Sequence, residues 1–132
     1  MRQLMKNITV LDTNVILRFL LNDHPAHFQR AEAFMANVIS GKITVYIPDS
    51  VLAECVYVLL KVYKVPKPKT CEVLTGLLSY AGISQINREI LIHSLQLFAA
   101  HNVDVVDAIV HATAKQQDWN VFSFDQDMRK FS

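Results

Sequence analysis

Short apolar segments alternating with longer helical ones predict an α/β protein: an open parallel sheet of four or five short strands with helices on both faces. Two observations carry this reading. The apolar runs in "NITVLD", "KITVYIP" and "NVFSFD" read as strands buried on both faces, as in a parallel sheet. Between them lie stretches with three-to-four-residue apolar spacing, long enough for the crossover helices that parallel strands require. With 132 residues, 52% of them hydrophobic, the chain supports one domain, residues 1–132, around a single core.

The elements follow in order. A buried strand is expected over about Ile8 to Leu11, leading into a helix through "VILRFLL". Pro25 suits the first position of a second helix, which Gly41 stops. "KITVYIP" is the second strand, and Asp49 or Ser50 caps the helix "DSVLAECVYVLLKVY". The two prolines of "KVPKPK" break the chain and keep its second half extended before a helix over "TCEVLTGLLSYAG". "ISQI" reads as a short strand, Asn87 as the cap of "REILIHSLQLFAAH", and "DVVDAIVHATAKQQ" as the last helix before the strand "NVFSFD".

Thirteen Lys and Arg against twelve Asp and Glu leave a formal charge of +1, so no global field draws in a polyanion. Any nucleic acid would need a local basic patch. Cys55 and Cys71 form no metal-binding or redox motif, which fits a reducing, cytoplasmic setting. The start "MRQLMKNITVLD" lacks the apolar stretch of an export signal, and no uncharged run is long enough to span a membrane.

In open α/β sheets, ligands bind beyond the carboxyl ends of the strands. Asp12 and Asp125 fall at that edge. Glu54 lies one turn inside the helix after the second strand, and Asp104 and Asp107 open the helix before the last. Four distant segments thus bring carboxylates towards one place. Clustered carboxylates repel one another, so such a site calls for a cation. Oxygen ligands without clustered Cys or His favour Mg²⁺ or Mn²⁺, and two such ions suit attack of water on a phosphodiester.

The segments "VLDTNVILRFLL", "IPDSVLAECVYVL", "DVVDAIVHATA" and "VFSFDQDM", in this order and spacing, resemble a PIN domain, most of all the VapC-type ribonuclease toxins of toxin-antitoxin pairs. The likeness spans almost the whole chain. It implies a PIN-like sheet and a Mg²⁺- or Mn²⁺-dependent endoribonuclease with catalytic Asp12, Glu54, Asp107 and Asp125. Asp104 would help these four to hold metal, and the role of Asp127 stays open. Thr13 and Asn14 would orient Asp12 by hydrogen bonds, and Ser123 stands where the family more often has threonine. The resemblance also implies an RNA substrate, a small antitoxin partner and a homodimer.

Plainer roles exist for the same residues. Asp12 and Asp104 are good helix caps, and His111 fits a solvated helix face. Glu54 is harder to dismiss, because it interrupts an otherwise apolar helix. Two other functions compete: a non-catalytic RNA- or protein-binding module, and a Mg²⁺-dependent aspartyl phosphotransfer domain. The second wants another acid two residues after the first, where this chain has Asn14. For holding RNA, Lys61, Lys64, Lys67 and Lys69 form the densest basic stretch, either a phosphate rail or a solvated linker.

Overall fold

A computed structural model describes residues 7–124 and 130–131. Two strands, β1 (Ile8–Val10) and β2 (Thr44–Tyr46), pair in parallel with Ile8 opposite Thr44 and Val10 opposite Tyr46. A single parallel bridge from Val45 to Ile83 extends the sheet on the far side of β2. Among the described residues the sheet therefore has two strands rather than four or five, and the chain is mostly helical. "ISQI" contributes only that bridge, and residues 119–124 lie outside any strand.

Between the strands run α1 (Thr13–Leu21) and α2 (Pro25–Ile39), with Pro25 at the first turn of α2. After β2 come α3 (Asp49–Tyr57) and a π-helical turn, Val58–Val62, which ends the regular helix earlier than its apolar spacing suggested. Then follow α4 (Lys67–Leu78), α5 (Gln85–Ala100) and α6 (Val105–Gln117). Residues 67–69 form the first turn of α4 instead of an extended linker. Pro66 caps that helix and Pro68 sits within its first turn, where a missing N–H costs nothing.

Ser84, not Asn87, caps α5, its hydroxyl accepting from the Ile86 N–H. Asn87 is instead buried and donates through Nδ2 to the Ile47 carbonyl at 2.8 Å, tying α5 to the end of β2. Gly82 makes the neighbouring turn possible: a Cβ there would fall 2.1 Å from the Ile43 carbonyl oxygen.

One core joins these elements. Val45 and Ile47 at its centre are fully buried, packed with Leu52, Leu59, Leu74, Leu91 and Leu95 from the helices. Helix α5 packs on α4 and α6, α1 on α2 and α3, and α3 also on α6. The strand β1 departs from the buried pattern expected of it, since Thr9 is exposed and Val10 is 62% exposed. No described helix is long and apolar enough to cross a membrane.

Candidate active site

Asp12 follows β1 by two residues and caps α1 from an extended backbone, with φ −92° and ψ 156°. Its Oδ1 accepts the Thr13 N–H at 2.8 Å. The capping role read from the sequence is therefore real, and it fixes this carboxylate at the carboxyl end of β1. Thr13 itself is buried, at 5% exposure, and its hydroxyl donates to Glu54 Oε1 at 2.7 Å across 41 residues of sequence. One residue thus holds two acids, Asp12 by its backbone and Glu54 by its side chain.

Glu54 stands on the exposed side of α3, so it does not carry the burial penalty expected for an acid within an apolar helix. The ion pairs among the described residues are Arg18–Asp23 and Lys69–Glu72, and neither involves Asp12 or Glu54. The negative field of the two carboxylates is felt by Cys55. Burial first, then Glu54 and Asp12, push its thiol up from 9.0 to about 12.

Asp104 caps α6, with Oδ1 accepting from the Val105 N–H at 3.1 Å, and is exposed. Asp107 is half-buried in the first turn of α6, the helix that packs on α3. Asp125 and Asp127 lie outside the described residues, and Ser123 is exposed. Among the described residues no three Asp, Glu, His or Cys side chains are grouped so as to hold a metal ion. The donors fixed together are the hard oxygens of Asp12 and Glu54, which suit Mg²⁺ or Mn²⁺ and want further ligands.

Asn14 is exposed and lines an open groove of about 430 Å³ beside β1. Its floor is apolar, from Leu11, Val15, Ala31 and Phe34, and Asp12, Arg18, His27 and Arg30 border it. Arg18 is held by Asp23, whose other oxygen accepts the Tyr63 hydroxyl at 2.9 Å. This groove was not visible in the sequence, because its walls come from a strand and two helices.

The four lysines separate into different roles. Lys67 is half-buried, donating to the His101 carbonyl at 2.9 Å with its ammonium 4.3 Å from the Phe98 ring centre. Lys69 pairs with Glu72, while Lys61 and Lys64 are exposed. His111 is not on a fully solvated face: it stacks on Phe131 with ring centres 4.5 Å apart, and burial, followed by His93, Lys115 and His101, lowers its pKa.

The fold is α/β, with a two-stranded parallel sheet among the described residues and Asp12 and Glu54 both bonded to Thr13 past the carboxyl end of β1. The chain belongs to the PIN domain family, whose model matches residues 9–132. PIN domains are generally nucleases. No curated protein and no solved structure matches the chain significantly.

Proposed function

We propose that this PIN domain is a metal-dependent endoribonuclease, the toxin of a toxin-antitoxin pair acting in the cytoplasm. The observation that carries the reading is the Thr13 bridge. It ties the Asp12 and Glu54 carboxylates to one residue beyond β1, with neither of them in an ion pair among the described residues. Uncompensated acids in a fixed pair favour a cation between or beside them.

In this reading Asp12, Glu54, Asp107 and Asp125 hold Mg²⁺ or Mn²⁺, with Asp104 in support. When bound, the metal activates water and neutralises charge developing on the phosphodiester. The chain's own residues do the positioning. The Thr13 N–H takes Asp12 Oδ1 and leaves Oδ2 without a hydrogen bond among the described residues. The Thr13 hydroxyl likewise fixes one oxygen of Glu54. Each acid therefore presents a free oxygen from an already ordered carboxylate, so less entropy is lost on binding.

The partners proposed are RNA, a small antitoxin and a second copy of the chain. The test is cleavage of single-stranded RNA by purified protein with EDTA, then with added Mg²⁺ or Mn²⁺. Cleavage that needs the metal and disappears in Asp12→Asn supports the reading; RNA binding without cleavage in either metal defeats it. That second result would favour a non-catalytic binding module, in which the observed caps of Asp12 and Asp104 are the whole reason for those two acids.

A further inference from the structure

Arg18, Asp23 and Tyr63 form a chain of three side chains near the end of α1. The Arg18 guanidinium donates to Asp23 Oδ1, and the Tyr63 hydroxyl donates to Asp23 Oδ2 at 2.9 Å across 40 residues of sequence. The Tyr63 bond first, opposed by desolvation and helped by Arg18, holds the Asp23 carboxyl below its ordinary range. An exposed ion pair alone contributes little to stability. This one has a third member, and the backbone takes two uncommon forms beside it. The Tyr63 N–H reaches back to the Val58 carbonyl at 3.1 Å and closes the π-helical turn, which aims Tyr63 where a regular helix would not. Lys64 then leaves with φ +58°, a left-handed conformation uncommon outside glycine.

The group that these bonds fix is the Arg18 guanidinium. Its planar fork carries five N–H donors, more than Asp23 and Tyr63 use between them. Arg18 borders the groove beside β1 together with Asp12, the cap of the same helix, with about 9 Å of helix rise between the two. Arg30 of α2 borders that groove as well, is exposed, and belongs to neither of the ion pairs among the described residues. Two guanidiniums against the one carboxylate of Asp23 leave this part of the rim positive. It is the local patch that a total charge of +1 does not imply.

We propose that Arg18, oriented by Asp23 and Tyr63, and Arg30 take backbone phosphates of single-stranded RNA along the rim that leads to Asp12. The proposal rests on the RNA reading of the Asp12 site and adds where the strand is held. Arginine suits the task, because its fork meets phosphate oxygens two at a time. Asp23 and Tyr63 are positioning residues: they hold the fork ready, so less entropy is lost when the phosphate arrives.

The test is binding of a single-stranded RNA oligonucleotide to Asp12→Asn protein with Ca²⁺, followed by fluorescence anisotropy over a range of salt. Arg18→Gln and Arg30→Gln are each expected to weaken binding about tenfold and to flatten the slope of log affinity against log salt by about 0.7. Tyr63→Phe keeps the charge but loosens its hold. It should weaken binding about threefold with the slope kept, and do nothing further in Arg18→Gln protein. Arg18→Lys keeps a cation beside Asp23 and serves where Arg18→Gln fails to fold; it should keep the slope and lose affinity. Wild-type affinity and slope in the arginine variants would overturn the proposal. An equal loss from Tyr63→Phe with and without Arg18 would overturn the positioning role. An acidic peptide of equal charge that binds as tightly as the RNA, and loses as much with Arg18→Gln, would overturn it in favour of a protein partner. Binding is read without cleavage, so a protein that holds RNA through these arginines and never cuts it defeats the nuclease reading alone.

Discussion

Thr13 and Glu54, 41 residues apart in sequence, are joined by a hydroxyl-to-carboxylate hydrogen bond of 2.7 Å. The same Thr13 gives its backbone N–H to Asp12. A buried threonine is therefore the joint between the two acids and between α1 and α3. Thr13→Val keeps the shape and removes the hydroxyl, which is expected to cost about 1–3 kcal/mol of stability and to lower RNA cleavage. Thr13→Ser should restore most of both, as read by thermal melting and by cleavage assay.

Asp12→Asn deletes one charge while nearly preserving size and capping ability. The expected outcome is a folded protein without metal-dependent cleavage. Because repulsion between the acids is relieved, the metal-free variant should melt at or above the wild-type temperature, and Mg²⁺ should raise the wild-type melting temperature more than the variant's. Wild-type cleavage rates in a folded Asp12→Asn sample would remove Asp12 from the site.

The two acids at the start of α6 should separate cleanly. Asp104 is bonded to the Val105 N–H, so Asp104→Ala should cost about 1 kcal/mol while Asp104→Asn, which still caps, is nearly neutral. Asp107→Asn should instead lose activity more than stability. Comparable activity in Asp107→Asn and wild type would limit Asp107 to a structural part in α6.

Alkaline pH should weaken the fold through Cys55. Its thiol is held at about 12 in the folded protein against 9.0 for the free group, so above pH 9 the unfolded chain releases a proton that the folded one retains. The stabilising effect is complete below pH 9 and is lost as pH rises towards 12, at about 1.4 kcal/mol per pH unit. Cys55→Ala should flatten that part of the stability profile measured by urea unfolding.

The lysines should divide into one that serves the fold and others available to RNA. Lys67→Met removes the bond to the His101 carbonyl and the contact with the Phe98 face, for a loss of about 1–2 kcal/mol, without changing the salt dependence of RNA binding. Lys61→Gln with Lys64→Asn should flatten the slope of log affinity against log salt by up to roughly 1.4 if both meet phosphates. Asparagine is chosen at 64 because Lys64 has φ +58°, a conformation it tolerates. Binding is best measured with Ca²⁺ on Asp12→Asn protein; an unchanged slope would mean that RNA is held elsewhere.

The sequence by itself determined where the helices fall, though not the start of α4, the cap of α5 or the π-helical end of α3, and it determined the parallel pairing of the first two strands and the position of Asp12 past the end of β1. These depend on local periodicity, turn chemistry and capping, which neighbouring residues write into the chain. It also indicated that Glu54 belongs with Asp12, from the order and spacing of the motifs. Only the tertiary structure decided how they are joined, since a hydroxyl buried between α1 and α3 has no sequence period. The same holds for Lys67, which reads as one of four similar cations until the packing of α4 against α5 sets it over Phe98. "NVFSF" marks the boundary most sharply: its β-forming residues favour an extended backbone, but a strand exists only where another strand's free groups meet it, and that partner is a tertiary fact.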